Sequence, residues 1–319
     1  MRIHALCANP AVDVSMETGH VYAHRKIRSD EQRIEPGGGD INVARALAEL
    51  GLPTRLLYLA GGVSGRLPEA ELLRSGLDGT RVAIAGDTRI AFNVHERASG
   101  AEYRFVPDGP RVDAAETRAW NEALAAPPLA AEDIVVASGS LPRGLPADTF
   151  AHLAERVGSH DARFVLDTSE AALAAALEPG AATPPFLIKP SLGELESLSG
   201  ERLAEGGAER AALALVEAGR ALNVAVSMGP YGALLANAAG TVRLPSPHVR
   251  AHSAVGAGDS FLGAMLWRIA LGDAIVDAFD HGVAAGAAAV MTGRTELCRR
   301  RDVLRLHAAL GPPVPGALP

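Results

Sequence analysis

Short apolar runs alternate with longer helical segments over most of the chain, and this alternation limits the possible folds more than any other feature. Four runs resemble β-strands: residues 134–139, 164–169, 186–191 and 224–229. Each precedes an Ala- and Leu-rich segment in which apolar residues recur with a period near 3.6. The pattern predicts an α/β protein whose mostly parallel sheet is covered by helices on both faces. In such sheets the functional loops collect at one edge.

Two segments depart from this alternation, residues 11–35 and 88–107. In the second segment apolar residues alternate with polar ones, and a turn at Ser99-Gly100 separates two strand-like runs. This predicts a β-hairpin with one apolar and one polar face. We therefore predict one domain over residues 1–319, with a small β-sheet lid formed by the two segments. The apolar face of so thin a sheet is expected to pack against a second subunit.

Composition and charge exclude several functional classes. The 319 residues are 48% hydrophobic and carry a formal net charge of −7 without a dense Lys/Arg run, so neither nucleic acid nor an anionic membrane is an expected partner. Cys7 and Cys298 lie far apart in the sequence, which argues against a zinc site or a disulfide framework. No run resembles a signal peptide or a membrane span. We expect a cytoplasmic protein that binds a small molecule.

The stretch SAVGAGDSFLGAM, residues 253–265, places two glycines and a carboxylate directly before a helical pattern. Because the first amides of a helix lack intrahelical partners, Gly256, Ala257 and Gly258 can form an anion hole there. Asp259 beside them can take a proton from a hydroxyl that attacks phosphorus. A tight loop in which Asp259 only caps the helix is the alternative.

Other common motifs for nucleotide binding or catalysis do not occur in the sequence. The glycines do not keep the GxGxxG dinucleotide spacing, and the sequence has no GxxxxGK[ST] phosphate loop, GxSxG elbow or HExxH helix. A second glycine cluster, Gly37, Gly38 and Gly39, leads into another apolar helical pattern. It predicts a second exposed patch of backbone at a helix start.

Together the two glycine motifs resemble the sugar-binding and phosphate-transfer motifs of the ribokinase-like PfkB sugar kinases. The likeness is strongest to the phosphosugar branch, whose members act on fructose 6-phosphate, fructose 1-phosphate or tagatose 6-phosphate. The stretches TRIAFNVHE and ASGAEYRFVPDG look most like the fructose 6-phosphate kinases of that branch. The resemblance continues in order along nearly the whole chain, at residues 138–144, 165–169, 187–195, 226–234 and 282–290.

The resemblance implies a ribokinase-like, three-layer α/β/α main domain. It implies ATP-dependent phosphorylation of fructose 6-phosphate to fructose 1,6-bisphosphate, with 1-phosphofructokinase or tagatose-6-phosphate kinase activity as alternatives. ATP and Mg²⁺ are the implied cofactors, with a monovalent cation as an option, and a homodimer through the lid sheet is the implied assembly. A non-catalytic regulator that binds sugar phosphate or nucleotide is the alternative of another class. The presence of Asp259 and Glu194 argues against it.

The same resemblance assigns roles to individual residues. Asp259 would be the general base, and the amides of Gly256, Ala257 and Gly258 would stabilise the transferred phosphoryl group. The sugar would contact Asp13, Gly37, Gly38, Asn42 and Ser140. Its phosphate would be bound by Arg89, Arg104 and the neighbouring subunit's Lys26. ATP would contact Lys189, Ser191, Ser227, Gly229, Gly232 and Gly286, and the metal would be held through Glu194 and Asp167.

Plainer roles stay open for several of these residues. The three cations can be solvated charges on exposed strands, and Asp13 or Asn42 can cap a turn. The chain also departs from the family at two positions. Ser191 stands where the N-x-x-E element has asparagine, and Asp40 stands where this branch has glycine. A carboxylate at position 40 would repel a phosphorylated sugar unless it points away or meets a cation.

Overall fold

The computed structural model describes residues 1–126, 128–180, 183–204, 206–293, 295–311 and 314–315. The strands are β1 (Ile3–Cys7), β2 (Ala11–Thr18), β3 (Arg33–Gly37), β4 (Arg55–Gly61), β5 (Gly79–Ile84), β6 (Arg89–Glu96), β7 (Glu102–Phe105), β8 (Ile134–Ser138), β9 (Arg163–Asp167), β10 (Leu187–Ile188), β11 (Asn223–Ser227), β12 (Ala233–Asn237), β13 (Gly240–Leu244) and β14 (Val314–Pro315). The helices are α1 (Gly39–Glu49), α2 (Arg66–Arg74), α3 (Ala114–Ala125), α4 (Thr149–Gly158), α5 (Glu170–Ala176), α6 (Leu192–Ser199), α7 (Gly207–Glu217), α8 (Ala257–Ala270), α9 (Ile275–Val290) and α10 (Arg300–Ala309).

A ten-stranded sheet forms the middle layer, in the order β14-β13-β12-β11-β10-β9-β8-β1-β4-β5. The strands from β11 to β5 in this order are parallel, and β12, β13 and β14 continue the sheet in antiparallel pairs. Alternate side chains enter opposite layers: in β1, Ile3 and Ala5 join one core cluster and Leu6 joins the other. The predicted mostly parallel sheet between two helical layers is confirmed.

The helices divide between the two faces of this sheet. Helices α1, α2, α8, α9 and α10 pack on one face, and α3 to α7 pack on the other. Glycines allow the helices around α8 to approach closely. A Cβ on Gly263 would lie 2.9 Å from Cβ of Ala46 in α1, and a Cβ on Gly282 would lie 2.8 Å from Cγ of Met265 in α8. The starts of α1 and α8 are thereby held side by side.

One expectation about helices was wrong. After β11 the chain does not enter a helix but forms a short 3₁₀ turn, Gly229–Tyr231, and then the β12–β13 hairpin. Gly232 turns the chain back with φ 94°, and a Cβ there would lie 2.0 Å from the carbonyl oxygen of Leu244. The error arose because β12 is apolar on both faces, and a short apolar run does not distinguish a covered strand from a helix. The run 186–191 was expected to be a strand throughout, but only Leu187–Ile188 forms one.

The second sheet has four strands in the order β3-β2-β6-β7, and all of them lie in the two segments that depart from the βα alternation except the end of β3, which runs two residues past the predicted segment to Gly37. The predicted hairpin is present as the antiparallel pair β6–β7, whereas β2 and β6 are parallel. One row across the sheet is apolar and contains Ile34, Val14, Phe92 and Phe105 in register. Three of its members are exposed, Phe105 by 61%. No helix in the described ranges has the length and apolarity needed to cross a membrane.

Candidate active site

Most of the predicted site residues converge at one edge of the large sheet. Asp167 ends β9 and Lys189 directly follows β10, so both lie at the carboxyl ends of parallel strands. Helices α1 and α8 begin at the same edge, where Asn42 of α1 donates a hydrogen bond to Asp259 of α8 at 2.9 Å. A Cβ added to Gly258 would lie 3.4 Å from Nζ of Lys189. The phosphate-transfer motif therefore lies directly beside the strand ends, as is usual for ligand sites in such sheets.

The start of α8 has open backbone amides. Gly256 precedes the helix with a left-handed φ of 72°, and no side chain caps the helix. The Ser260 amide is bonded to the Gly256 carbonyl at 2.8 Å, and the Ala257 amide makes a long bond of 3.4 Å to Ala254. Within the described part of the chain, the amides of Gly258 and Asp259 have no hydrogen-bond acceptor. Open amides at a helix start favour an anion.

Asp259 does not cap its own helix, because its carboxylate accepts instead from Nδ2 of Asn42. Burial in the cleft, reinforced by the charge of Asp167, raises the pKa of Asp259 to about 7. The Asn42 hydrogen bond and the Lys189 charge act in the opposite direction. A carboxylate with a pKa near neutrality is suited to accept a proton from a hydroxyl.

Asp13 faces the start of α1 from strand β2. The carboxylate lies so close to Gly37 that a Cβ there would be 2.2 Å from Oδ2 of Asp13. Gly38 adopts φ 108°, which a residue with a side chain rarely takes up. Burial raises the pKa of Asp13, while Arg104 and other nearby guanidinium groups oppose the rise. Asp13 lies within a strand and Asn42 within a helix, so neither caps a turn.

Asp40 points into the protein. It is 1% exposed, and its Oδ1 accepts a hydrogen bond from the Ser138 amide at 2.7 Å. Burial, with the charges of Asp259 and Asp167, raises the pKa of this carboxyl group well above its usual range. Burial disfavours the charged form of Asp40 and the side chain faces the Ser138 amide inside the protein, so the departure from glycine leaves substrate binding possible.

Lys189 is buried against Asp167, with 3.1 Å between Nζ and Oδ2. Burial disfavours the charged ammonium, but the charges of Asp167, Asp259 and Glu194 outweigh it and raise the pKa of Lys189. The Lys189 ammonium is therefore a fixed positive charge beside the start of α8, where the carboxylates of Asp167 and Asp259 both act on it. Such a charge can meet a phosphate oxygen brought between them.

Ser191 and Glu194 form a capping box at the start of α6. The Ser191 hydroxyl accepts from the Glu194 amide at 3.2 Å, and Oε2 of Glu194 accepts from the Ser191 amide at 2.7 Å. Serine caps a helix about as well as asparagine. The departure at position 191 therefore preserves the helix start and the position of the Glu194 carboxylate.

Of the other residues assigned to ATP, Ser227 and the two glycines after it lie near this helix start, and Gly286 lies against the start of α8. Ser191 forms a parallel bridge with Ser227, and the Ser227 amide donates to the Pro190 carbonyl at 3.0 Å. Gly229 follows with φ 56°, and Gly232 holds the tight turn into β12. Gly286 has a packing contact, because a Cβ there would lie 3.5 Å from the Ala257 carbonyl.

The cations assigned to the substrate phosphate have different surroundings. Arg89 is directed at the protein itself and donates to the carbonyls of Asn9 at 2.8 Å and Pro107 at 3.1 Å. Arg104 is exposed on β7 and donates to Asn93 at 3.2 Å. Lys26 is exposed in the connection between β2 and β3 and bonds to no other described residue. Ser140 accepts a hydrogen bond from Asn9 at 3.0 Å.

The sequence analysis missed Arg45, which contacts Asn42, the hydrogen-bond partner of Asp259. Its Nη1 donates to Oδ1 of Asn42 at 3.2 Å, and its Nη2 donates to Glu35 at 2.8 Å. A signal was present in the sequence. Arg45 follows Asn42 by three residues, so the two share a helical face, and it is the one charged residue in the run INVARALA.

Comparison with known proteins identifies the family. The model of the pfkB family carbohydrate kinases matches residues 9–300. The chain belongs to the pfkB family of carbohydrate kinases. The match spans both glycine motifs, the small sheet and the strand ends that carry Asp167 and Lys189.

Several relatives within the pfkB family are phosphofructokinases. ATP-dependent 6-phosphofructokinase isozyme 2 of Escherichia coli is 35% identical, over 97% of this chain and 99% of the relative. The protein of the same description from Mycobacterium tuberculosis is 37% identical, over 98% of this chain and 91% of the relative. A 1-phosphofructokinase of Bacillus subtilis is 33% identical, over 90% and 91% of the two chains.

The solved structures agree with this assignment. Phosphofructokinase-2 of Escherichia coli in complex with substrates and products superposes with a TM-score of 0.91 at 35% identity, over 97% of this chain and 99% of that one. A ribokinase of Thermotoga maritima superposes with a TM-score of 0.74 at 22% identity, over 96% and 99% of the chains, and shares the fold. The ribokinase-like fold expected of a pfkB family member is confirmed.

Proposed function

We propose that the chain transfers the γ-phosphoryl group of ATP to fructose 6-phosphate and releases fructose 1,6-bisphosphate and ADP. The observation that carries the proposal is the start of α8, where Asp259 has a pKa near 7 beside two open amides. The relatives described as ATP-dependent 6-phosphofructokinases support the choice of both substrates.

The reaction follows from the positions of these groups. The sugar hydroxyl lies against Asp13 and Asn42 and gives its proton to the Asp259 carboxylate as its oxygen attacks the γ-phosphorus. A new oxygen–phosphorus bond forms, and the bond to the β-phosphate oxygen breaks with its electron pair staying on ADP. The open amides of Gly258 and Asp259, with Lys189, stabilise the negative charge on the transferred group.

The phosphate already on the sugar needs cations of its own. Arg104 is an exposed arginine on the same face of the small sheet as Asp13, and its charge acts on the Asp13 carboxylate. Lys26 is exposed and unpaired among the described residues, as suits a residue that completes a neighbouring subunit's site. Arg89 uses Nη1 and Nη2 to hold the segment after β1 against the end of the small sheet, but its buried Nε has no partner among the described residues, so its part in binding the phosphate stays a prediction.

We expect Mg²⁺ to accompany ATP. The described residues contain no group of three or more His, Cys, Asp and Glu side chains able to hold a metal. Glu194 and Asp167 nevertheless suit an ion that takes one or two protein carboxylates, phosphate oxygens and water. When bound, Mg²⁺ would neutralise charge on the phosphates. Loss of activity in excess chelator, restored by added Mg²⁺, is the expected result, and full activity in chelator would contradict it. A monovalent-cation requirement stays a prediction.

The small sheet supports a homodimer. Ile34, Phe92 and Phe105 lie in one exposed row, and a second copy of the same row would cover them. Mixing Asp259→Asn subunits with Lys26→Ala subunits tests whether the site is shared. A heterodimer would contain one site with both Asp259 and Lys26 intact, so activity should partly return. A mixture that stays inactive after verified subunit exchange would show that the sheet serves only its own chain.

The deciding experiment is a substrate panel. ADP release is measured with ATP and fructose 6-phosphate, fructose 1-phosphate, tagatose 6-phosphate, tagatose 1-phosphate and unphosphorylated sugars. The expected result is the highest kcat/KM with fructose 6-phosphate. A preference for fructose 1-phosphate would favour the activity of the 1-phosphofructokinase relatives. Binding without turnover for every sugar would show a regulator instead of a kinase.

A further inference from the structure

We propose that Arg45 is a positioning residue that orients the Asn42 amide so that its NH₂ group faces the Asp259 carboxylate. The inference rests on the proposed function, in which Asp259 is the base. Four side chains form one continuous chain of hydrogen bonds: Glu35, Arg45, Asn42 and Asp259. Neither the glycine motifs nor the residues at the strand ends assign Arg45 a role in the reaction.

The orientation follows from the chemistry of the two partners. A guanidinium group only donates hydrogen bonds, so Arg45 can bind only the amide oxygen of Asn42. The amide NH₂ group is then left facing Oδ2 of Asp259 at 2.9 Å. If the amide turned over, its oxygen would face the carboxylate, and its NH₂ group would face the guanidinium group. Both contacts would be repulsive, so Arg45 selects the orientation that serves the base.

Arg45 is itself held from three sides. Its Nη1 also donates to the Pro36 carbonyl at 3.2 Å, and its Nη2 forms an ion pair with Glu35 at 2.8 Å. The side chains of Arg45 and Glu35 are 16% and 18% exposed, so little water competes for the pair. The other oxygen of Glu35 accepts from the Thr295 hydroxyl. Strand β3 of the small sheet and the segment before α10 therefore fix the guanidinium group over Asn42.

The consequence concerns the protonation of the base. The charged groups that act on Asp259 include Asp167, Asp13 and Asp40, which favour protonation, and Lys189, which opposes it. The Asn42 hydrogen bond also favours the carboxylate form. Without Arg45 the amide turns freely and donates for only part of the time. The pKa of Asp259 then rises, and less of the base is ionised at neutral pH.

The test compares Arg45→Met with Arg45→Lys and with Arg55→Met, an exposed arginine at the start of β4. The acid limb of the kcat/KM profile should move up by roughly half to one pH unit in Arg45→Met, the size expected for one lost hydrogen bond. Arg45→Lys keeps a donor and should recover part of the shift. Arg55→Met should match the unmodified protein. An unchanged acid limb in Arg45→Met would overturn the proposal.

A second background separates positioning from the simple loss of a charge. Asn42→Ala removes the amide, so adding Arg45→Met to it should move the acid limb no further. An equal additional shift would show that Arg45 acts through its charge and not through Asn42. The Asp259 carboxyl can also be titrated directly by carbon NMR of labelled aspartate, with its resonance assigned from Asp259→Asn. This readout needs no turnover, so failure of the proposed kinase activity and failure of the Arg45 inference give different results.

Discussion

Helices α6 and α8 both begin at the site, but side chains cap the start of α6 and none caps the start of α8. At α6 the Ser191 and Glu194 side chains form a capping box that satisfies the amides of Glu194 and Ser191, while those of Leu192 and Gly193 have no acceptor among the described residues. At α8 Gly256 takes the same position, no side chain caps the helix, and Asp259 turns away to Asn42. The capping box stabilises the start of α6. A helix start that is left open at a cleft is available to a ligand anion.

The electrostatics of the two starts differ in the same way. Glu194 places a carboxylate against α6, where it complements the helix dipole and satisfies a backbone amide. The acid at α8 lies among Asp167, Asp13 and Lys189, and burial raises its pKa to about 7. An ionised Asp259 is thus less stable in the protein than in water. The buried Asp259 carboxylate at α8 therefore lowers the stability of the folded protein, but it can exchange a proton near neutral pH.

The largest expected effect is that of removing the base at α8. Asp259→Asn keeps the size of the side chain and a partner for Asn42 but cannot accept the proton. We expect kcat to fall by about 100-fold or more, with ATP affinity nearly unchanged, since a general base contributes on this scale. Steady-state kinetics and nucleotide binding measure the two quantities. Near-normal turnover in this variant would remove the functional distinction between the two helix starts.

The pH dependence tests the same carboxylate without changing it. The base must be ionised to act, so kcat/KM should fall about tenfold per unit as the pH drops below about 7, the pKa of Asp259. The folded pKa lies above the unfolded one, so the folded state binds more protons and this group makes stability fall as the pH rises from about 4 to 7. Asp259→Asn should therefore be more stable than the unmodified protein at pH 8. A flat rate profile between pH 5 and 8 would contradict the assignment.

The glycine that opens α8 has a matched control at the far end of α6. Gly256 and Gly200 have left-handed φ angles of 72° and 74°, so alanine at either position pays a similar backbone cost of about 1 kcal/mol. Only at Gly256 would the new Cβ meet a neighbour, 2.4 Å from Cδ2 of Leu297. We expect Gly256→Ala to lower kcat several-fold as the amides shift, and Gly200→Ala to leave kcat unchanged. Equal kcat values for both variants would show that the α8 amides do not act in turnover.

The smallest effects are expected at the capped helix. Ser191→Asn replaces one good capping residue by another, so the free energy of unfolding should change by less than about 0.5 kcal/mol. Any improvement in activity should appear as a lower Mg²⁺ concentration needed for half-maximal rate. Ser191→Ala should cost about 1 kcal/mol, because the Glu194 amide loses its acceptor. Thermal unfolding and Mg²⁺ titration of the rate measure both. A large loss of kcat in Ser191→Asn would mean that α6 is as much a part of the reaction as α8.

Much of this fold could be predicted because its signals are local. Strand β8, the hairpin around Ser99-Gly100 and helix α8 each have a period or a turn that can be read from neighbouring residues. The hairpin after β11 could not be predicted in this way. Its first strand, β12, is apolar on both faces, and only its place in a covered sheet distinguishes it from a helix.

For the site, the sequence by itself determined which backbone stretches are open and which carboxylate stands at the start of α8. It did not determine where buried side chains point. The inward turn of Asp40 and the bonds of Arg89 to carbonyl groups depend on contacts between residues far apart in the chain. The same holds for Arg45, whose partners come from both α1 and β3. Sequence periodicity assigns a residue to one face of its own helix or strand. Only tertiary packing decides which polar groups meet that face, and these groups determine the residue's protonation and hydrogen bonds.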